Sequence, residues 1–522
     1  MVIMKFGGTS VQDAAAIDRA AGIVRSRRKQ KPVVVVSALA KVTDQLVLIG
    51  QKASRSEADS AVELVHALKD RHFQVAGDLL GKQGYKEIAP KLELLFEELE
   101  DFARGLAAVH ELSPRSSDAL LSFGERLSSE IVAAAFAQRG LTTSWIDSRE
   151  CVITDANYTA ARPQMEATRK CCQAKISPLV SKGKIPVMGG FIASTSDGIS
   201  TTLGRGGSDF SAAIVGAALD AKSIEIWTDV EGMMTTDPRL CPDARTIKRI
   251  SFNEAAELAY FGAKVLHPAT LLPAVERNIP VYVLNSRNPS GTGTRITAHA
   301  PSGREMFRAI TAKTNISIVN VVASRGIMVH GFLRSVFDAL DRYGASVDIV
   351  AISEVSMSFT METRRLPEAL LVELEKIADV SSENKQAIIC LVGEDIHGRP
   401  GIAASVFTTV ANAGVNVRMI SQGASEINIS FVIKESDVPH AVRQLHAHFF
   451  PIDHAGTDAL VRPSRARLDK NANVSRNNGN GSGRRTTGRV GTGGPSRAKP
   501  GRISGSRSAS SPIQSANRGK KK

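Results

Sequence analysis

Two hydrophobic patterns alternate along the first 300 residues of the chain. Short apolar runs such as Val33–Val36 are continuous and β-branched, which is typical of strands buried on both faces. Residues 60–110 and Ala119–Arg139 carry apolar positions at helical spacing instead. This alternation predicts an α/β fold, with a mostly parallel sheet covered by helices. Ligands on such sheets bind at the carboxyl ends of the strands.

Beyond about residue 310 the order strand, helix, strand, strand occurs twice. Ser335-Val336-Phe337 recurs 70 residues later as Ser405-Val406-Phe407, and Ser358-Phe359 recurs 72 residues later as Ser430-Phe431. Such a repeat predicts two copies of one small α+β domain of βαββ type. The predicted domains are residues 1–300, 310–380 and 385–460.

The net charge of +14 comes from one end of the chain. Residues 463–522 hold 15 Lys and Arg and one acidic residue, whereas the rest holds 51 basic and 51 acidic residues. Because this end is rich in Ser, Gly, Asn and Arg, with almost no large apolar residues, we expect a disordered basic tail. Its composition suits either binding to RNA or another polyanion, or a solubilising extension.

The five cysteines are odd in number and show no spacing of a zinc or iron–sulfur site. They predict reduced thiols in a cytoplasm and no metal site built by the chain. We also expect no signal peptide, because no basic-then-apolar leader opens the sequence. A membrane span is not expected either, since no run of about 18 apolar residues occurs.

The chain opens with a strand, a glycine turn and a helix start, in the segment Met4-Lys5-Phe6-Gly7-Gly8-Thr9-Ser10. Glycines let the backbone approach a phosphate closely, and a helix N-terminus points free N–H groups at it. Lys5 adds a positive charge. The pattern equally suits an ordinary strand–turn–helix connection with a solvated lysine. It is neither a Walker sequence nor a GxGxxG dinucleotide fingerprint.

Two further polar segments have both a binding and a structural interpretation. The hydroxyls of Ser37–Thr43, after the second strand, suit a carboxylate or phosphate, or else a capped helix start. Glu125 and Arg126, in the helical segment Ser122–Ser128, suit a ligand or else a surface ion pair.

Two glycine-containing loops complete the candidate chemistry. In Thr202–Asp209 the guanidinium fork of Arg205 suits a carboxylate, while the last two residues of the segment could instead cap the next helix. In Trp227–Arg239, hydroxyl, carboxylate and guanidinium groups suit a nucleotide, and a turn-rich surface loop is the alternative.

Together these segments resemble the motifs of monofunctional, lysine-sensitive aspartate kinases, which belong to the amino-acid kinase family. The duplicated units resemble the ACT domains of the same enzymes, and the resemblance covers roughly residues 1–450. Two positions depart from the family pattern: Lys41 stands at a usual glycine, and Met234 at a position often filled by tyrosine. The matching strings are KFGGTS, SALAKVT, SFGERLS, TLGRGGSD, WTDVEGMMTTDPR and FGAKVLHPAT.

The resemblance implies that ATP phosphorylates the side-chain carboxylate of L-aspartate to 4-phospho-L-aspartate, with Mg²⁺ held mainly by the nucleotide. This is the first step towards lysine, threonine and methionine. The implied catalytic residues are Lys5, Asp209 and Lys264. The implied aspartate-binding residues are Thr43, Glu125, Arg205, Ser208 and Asp209. The implied ATP-binding residues are Lys5, Gly7, Gly8, Ser37, Thr228, Asp229, Met234, Arg239 and Lys264. The implied lysine-binding residues are Gly331, Phe332, Leu333, Ser346, Val347, Asp348, Ser353 and Glu354.

The resemblance further implies feedback inhibition by lysine, or by threonine, and a homodimer formed through the ACT domains. A fused homoserine dehydrogenase is not expected for lack of chain. Two alternatives stay open: an amino-acid kinase acting on glutamate, acetylglutamate or a nucleotide, and a non-catalytic amino-acid sensor that binds nucleic acid through its tail. The paired repeat and the GRGGSD string argue against the first, and the intact motif lysines argue against the second.

Overall fold

The structure is a computed structural model, in which residues 1–262, 268–299, 306–323, 331–396, 398–422 and 427–451 are described. The implied catalytic residue Lys264 and the basic tail at 463–522 lie outside these ranges. Among the described residues, no helix combines the length and the apolar character that crossing a membrane requires.

Residues 1–299 form an α/β region with short buried strands and longer covering helices. Its strands are β1 (Val2–Phe6), β2 (Pro32–Val36), β3 (Thr143–Ile146), β4 (Ile153–Thr154), β5 (Ile185–Gly189), β6 (Ile192–Thr195), β7 (Ser200–Thr202), β8 (Ser223–Thr228), β9 (Arg249–Ser251), β10 (Val281–Asn285) and β11 (Thr294–Thr297). Its α-helices are α1 (Ala14–Ser26), α2 (Val42–Ser54), α3 (Ala58–Leu79), α4 (Lys82–Val109), α5 (Pro114–Gln138), α6 (Met165–Lys175), α7 (Ser177–Ser181), α8 (Gly207–Ala218), α9 (Phe252–Tyr260) and α10 (Leu272–Glu276).

The main sheet has the strand order β3-β5-β2-β1-β8-β10-β11-β9. All neighbouring pairs are parallel except β10 and β11, which confirms the predicted mostly parallel sheet. Every residue of β1 and β2 is buried, as their continuous apolar runs predict. Since β1 lies between β2 and β8, the polar segments that follow these three strands meet at one edge of the sheet. The strands β4, β6 and β7 form a separate small sheet.

The helices differ from the sequence prediction mainly at their ends. The predicted helical span 60–110 is divided into α3 and α4 by a break at Leu80 and Gly81. Helix α5 begins at Pro114 rather than Ala119. The hydroxyl of Ser113 accepts the backbone N–H of Ser116 and caps this helix, and proline is favoured at a first helical position.

The second region contains the two repeats. Its strands are β12 (Ala309–Ala323), β13 (Val350–Ile352), β14 (Ser356–Glu362), β15 (Ala378–Val392), β16 (Met419–Ser421) and β17 (Asn428–Lys434). Its α-helices are α11 (Phe332–Arg342), α12 (Glu368–Glu375), α13 (Ile402–Asn412) and α14 (Val438–Phe449).

The repeats share one antiparallel sheet, ordered β13-β14-β12-β15-β17-β16. Helices α11 and α13 are offset by the predicted 70 residues, and strands β14 and β17 by 72. Each repeat also ends in a helix that the predicted βαββ order lacks, α12 or α14. Strand β15 begins at Ala378, before residue 385, where the sequence pattern places the second copy.

Helix α9 connects the two regions through a buried carboxylate. Glu254 is fully buried, and its Oε1 accepts hydrogen bonds from Arg308 Nε at 3.3 Å and from the backbone N–H of Glu394 at 3.0 Å. Its other oxygen closes a capping box with Ser251 at the start of α9. A buried carboxylate is stable only with such partners, so this contact holds the second sheet against the N-terminal end of α9.

Candidate active site

Two cavities contain most of the predicted aspartate- and ATP-binding residues. We name the first the charged cleft. It has a volume of about 610 Å³ and contains Lys5, Gly8, Ser37, Thr43, Glu125, Arg205, Ser208 and Asp209. We name the second the loop cavity. It has a volume of about 330 Å³ and contains Thr228, Asp229, Met234 and Arg239.

An ion pair between Lys5 and Asp209 lies in the charged cleft. Lys5 is near the end of β1, and its Nζ lies 2.7 Å from Oδ1 of Asp209, in the first turn of α8. Both side chains are largely buried, with 10% and 13% of their surface exposed. Gly206, and not Ser208 or Asp209, is the N-cap of α8, so the capping interpretation of those two residues is wrong. The solvated-lysine interpretation of Lys5 is also wrong.

Glu125 is a buried carboxylate beside that ion pair. Its Oε1 accepts the backbone N–H of Ala38 at 3.1 Å, and no partner of Oε2 occurs in the described part of the chain. Burial raises the pKa of Glu125 to about 8, although the Ala38 hydrogen bond and the charge of Lys5 act in the opposite direction. Arg126 pairs with Glu98 instead, so the alternative of a Glu125–Arg126 surface pair is wrong.

Glycines bring the elements around Glu125 close together. A Cβ on Gly124 would lie 3.0 Å from Cβ of Ala38, and a Cβ on Gly189 would lie 2.9 Å from Cβ of Glu125. A glycine within a helix costs about 1 kcal/mol relative to alanine, and here it permits the close approach of the β2 loop to α5. The hydroxyl of Ser128 also donates to the carbonyl of Ser37 at 2.8 Å.

Lys41 keeps the backbone shape that a glycine would favour at its position. Its φ of +68° is left-handed, and it directly precedes α2. No side-chain hydrogen bond caps α2, so the hydroxyls of Ser37 and Thr43 are not used for capping. They remain in the wall of the charged cleft, as does the exposed side chain of Lys41.

Arg205 occupies an exposed loop between two left-handed glycines, Gly204 and Gly206. In the described ranges no ion pair includes its guanidinium, which lies at the charged cleft. Asp118 supports this loop. Its carboxylate is fully buried and accepts the backbone N–H groups of Thr159 and Thr202, both at 2.9 Å, and the hydroxyl of Thr202 at 2.6 Å.

Asp118 lies outside all the matching sequence motifs, so the sequence analysis does not name it. Burial raises its pKa, because three hydrogen bonds offset the loss of water only in part. One sequence signal could have indicated it: Asp118 precedes Glu125 by seven residues, so both side chains lie on one face of a helix.

The loop that follows β8 forms much of the loop cavity, and residues of both regions line it. Thr228 and Asp229 come from the strand end, and Met234 is half-buried within the loop. Strand β12 contributes residues 309–312. The Arg239 guanidinium, 86% exposed, lies 2.6 Å from Asp237, and this hydrogen bond lowers the pKa of Asp237.

The glycine turn joins the two cavities. The backbone N–H of Gly7 donates to the carbonyl of Trp227, at the end of β8, at 3.0 Å. A Cβ on Gly7 would lie 3.5 Å from the ammonium nitrogen of Lys5. The hydroxyl of Ser10 lies 2.8 Å from that of Ser286, which donates to the carbonyl of Thr228. The turn is therefore held between the charged cleft and the loop cavity.

The predicted lysine-binding residues cluster around the first repeat. Gly331, Phe332 and Leu333 are at the start of α11, and Ser346, Val347 and Asp348 precede β13. Lys313 already pairs with Asp348 at 2.6 Å, so Asp348 is not a solvated acid at a strand end. Ser353 and Glu354 lie in the exposed segment before β14.

No group of three or more His, Cys, Asp or Glu side chains with metal-binding geometry occurs in the described ranges. In the charged cleft, Asp209 is paired with Lys5 and Glu125 is buried. These donors do not form a cage for a cation.

Comparison with known proteins gives matches over both regions. The model of the amino acid kinase family matches residues 1–285, and an ACT domain model matches residues 389–449. Aspartokinase 3, chloroplastic, of Arabidopsis thaliana is 38% identical, with coverage of 86% of this chain and 82% of the relative. Lysine-sensitive aspartokinase 3 of Escherichia coli is 36% identical, with coverage of 86% and 99%.

A solved structure is also similar to this chain. Aspartokinase III of Escherichia coli in complex with aspartate and ADP superimposes with a TM-score of 0.73 at 35% identity. The match covers 86% of this chain and all of the solved one.

Proposed function

The chain belongs to the amino-acid kinase family, within it to the aspartokinases, and from this premise we propose how its two cavities perform the reaction. The enzyme transfers the terminal phosphoryl group of ATP to the side-chain carboxylate of L-aspartate, which yields ADP and 4-phospho-L-aspartate. The attacking carboxylate is already ionised at neutral pH, so the reaction needs no general base. It needs alignment and positive charge around the transferred group.

The charged cleft binds aspartate. Arg205, whose guanidinium is unpaired in the described part of the chain, binds the α-carboxylate through its planar fork. Glu125 and Asp209 hold the α-ammonium group, with Thr43 and Ser208 in the same wall. The ammonium supplies the positive partner that buried Glu125 lacks. Binding at neutral pH therefore lowers the pKa of Glu125 and releases a proton.

The glycine turn and Lys5 bind the phosphates between the two cavities. Lys5 neutralises charge on the transferred phosphoryl group, and the backbone of Gly7 and Gly8 allows close approach. Ser37, in the wall of the charged cleft, adds a hydroxyl near the phosphates. Lys264, outside the described residues, is the second proposed phosphate-binding cation. Mg²⁺ bound with ATP would supply charge neutralisation at the phosphate oxygens.

The loop cavity binds the nucleoside part of ATP. Thr228 and Asp229 provide hydrogen-bonding groups, Met234 provides an apolar contact, and Arg239 faces the phosphates. For that contact Arg239 exchanges its exposed ion pair with Asp237 for a phosphate. An exposed ion pair is screened by water and contributes little to stability, so the exchange costs little.

The observation that carries this assignment is the Lys5–Asp209 pair beside an unpaired arginine and a buried glutamate. We test it by trapping the acyl phosphate with hydroxylamine, using aspartate, glutamate and acetylglutamate as substrates. Aspartate alone should give strong hydroxamate formation, and Arg205→Ala should abolish most of it. Arg169→Ala removes an ion pair with Asp220 outside the charged cleft and serves as the matched control. Preference for another substrate would overturn the assignment.

Lysine is the proposed effector, because a relative of 36% identity is named lysine-sensitive. Since Lys313 already forms an ion pair with Asp348, we assign binding of the effector's ammonium group to Glu354. Glu354 is exposed and in no ion pair among the described residues. Glu354→Gln should weaken inhibition by lysine at least tenfold, whereas the exposed control Glu368→Gln should not. Equal inhibition in all three proteins would contradict the assignment, and a parallel titration with threonine tests the other effector.

A homodimer formed through the first repeat is the proposed assembly. Strand β13 is at an edge of the second sheet, and its last residue, Ile352, and the following Val355 are each 52% exposed. An exposed apolar edge is a common pairing surface. Ile352→Lys should shift the mass in light scattering from dimer to monomer.

The five free cysteines support the proposed reducing, cytoplasmic location.

A further inference from the structure

The wall of the loop cavity contains a buried hydroxyl, that of Thr236, for which the described residues offer no hydrogen-bond partner. The residue is only 4% exposed, and its Oγ1 forms no hydrogen bond within the described part of the protein. Most buried polar groups in proteins are paired, and an unpaired one is costly. Such a group within a ligand cavity indicates a partner that arrives with the ligand.

The preceding residue, Thr235, shows the opposite arrangement. Its hydroxyl lies 2.9 Å from Nε2 of His446 and accepts the backbone N–H of Arg245, also at 2.9 Å. Its carbonyl accepts the backbone N–H of Ile310 at 2.8 Å. Thr235 therefore fastens the loop to the second region. Thr236 breaks no hydrogen bond when its side chain rotates into the loop cavity.

The walls of the loop cavity suit a nucleoside better than a phosphate. Met234, Leu258 and Ile310 are apolar, and the volume of about 330 Å³ falls in the range of small-ligand pockets, about 300–1,000 Å³. Gly7 and Ser10 of the glycine turn, where the phosphates belong, contact Trp227 and Ser286, next to Thr228 in the wall of this cavity. The nucleoside therefore occupies the apolar part of the cavity, whose lining includes Thr236.

We propose that Thr236 is a binding residue for the nucleoside part of ATP, and that its hydroxyl forms one hydrogen bond to the base or the ribose. The inference rests on the proposed function of the loop cavity and adds a residue that the sequence motifs leave without a role. It requires only a change of the χ1 rotamer of Thr236, for which three staggered positions are available.

Steady-state kinetics of Thr236→Val and Thr236→Ser test the proposal. The valine variant should raise the KM for ATP about 3- to 10-fold, the effect of one neutral hydrogen bond, with kcat and the KM for aspartate unchanged. The serine variant should restore the KM. Because the Thr236 hydroxyl has no hydrogen bond to lose within the described part of the protein, and an unpaired buried hydroxyl is costly, its valine variant should have a Tm equal to or above that of the wild type. Thr235→Val should lower the Tm, because it leaves His446 and Arg245 unpaired.

Two ATP analogues locate the contact. If the hydroxyl binds the ribose, 2′-deoxy-ATP should bind the wild type more weakly but affect Thr236→Val no further. 7-Deaza-ATP should show the same pattern if the hydroxyl binds N7 of the base. An unchanged KM for ATP in Thr236→Val, or a lowered Tm, would overturn the proposal. A wild-type enzyme without aspartate-dependent turnover would instead contradict the proposed function.

Discussion

The charged cleft and the loop cavity are constructed in opposite ways. The cleft belongs to the first region alone, and its key charges are buried: the Lys5–Asp209 pair and Glu125. The cavity has exposed charges and takes one wall from β12 of the second region. Aspartate binding should therefore depend on preset electrostatics, whereas nucleotide binding should respond to movement of the repeats.

Lys5→Ala should have the largest effect, because Lys5 lies where the cleft meets the glycine turn. We expect kcat to fall about 10²- to 10³-fold, the usual loss when one charge-stabilising group is removed. Initial rates at saturating ATP and aspartate measure it, and circular dichroism checks folding. Lys29→Ala, at an exposed lysine, is the control. Turnover similar to the wild type would remove Lys5 from the mechanism.

Arg205→Ala should separate the two cavities most clearly. The KM for aspartate should rise about 10- to 100-fold, the value of a charge-assisted hydrogen bond, and the KM for ATP should stay within twofold. Arg205→Lys should recover only part of the loss, because an ammonium group lacks the planar fork. If both KM values rose together, the division of labour between cleft and cavity would be wrong.

The pH profile tests the buried charge of the cleft. Because the pKa of Glu125 is about 8, kcat/KM for aspartate should rise about fivefold between pH 7 and pH 8 as the carboxylate ionises. The KM for ATP should show no such rise. A profile that is flat between pH 7 and pH 8 would exclude Glu125 as a ligand of the ammonium group.

The ionisation of Glu125 should also make the stability of the folded protein depend on pH in a defined direction. The folded pKa of Glu125 exceeds the ordinary value of 4.5, so the folded state binds the extra proton and stability falls as pH rises from 4.5 to 8. Glu125→Gln cannot ionise at this position, so it does not lose stability as the pH rises. The Tm of Glu125→Gln minus the Tm of the wild type should therefore be larger at pH 9 than at pH 5, although the variant is inactive.

Lysine should have the smallest of these effects and act on the cavity. We expect lysine to raise the KM for ATP about fivefold or more, the lower range of allosteric coupling, with little change in the KM for aspartate. Initial rates at a series of lysine concentrations measure both values. Inhibition that is competitive with aspartate instead would contradict the assignment of the β12 wall as the route of coupling.

Much of the fold could be predicted from local pattern. The buried runs predict the central strands, and the 70- and 72-residue offsets predict the paired repeats. The ends of the longest strands could not be predicted in this way. Strand β12 extends beyond the alternating stretch Ile316–Val322, and β15 extends beyond the apolar run Ala387–Val392, which are the parts that the sequence pattern alone indicates. Their added residues are largely polar, and they become strand because β12 and β15 pair with each other.

For the candidate site as well, local sequence predicted the residues but not their contacts. The motifs identify Lys5, Glu125, Arg205 and Asp209 as candidates, but no spacing shows that Lys5 meets Asp209, 204 positions away. The spacing to Glu125 places Asp118 on the same helix face, but the hydrogen bonds of Asp118 to Thr202 and the ion pair of Asp348 with Lys313 cannot be read from the sequence, because both depend on which elements become neighbours in the fold.

The amino-acid order was thus sufficient for the family, the class of reaction, the main elements and most candidate residues, because backbone preference and motif chemistry are local properties. Tertiary structure alone decided which charges are buried, which are paired and which hydroxyl lacks a partner. Ion pairs and hydrogen bonds act over about 3 Å, so they exist only once folding has brought distant segments together.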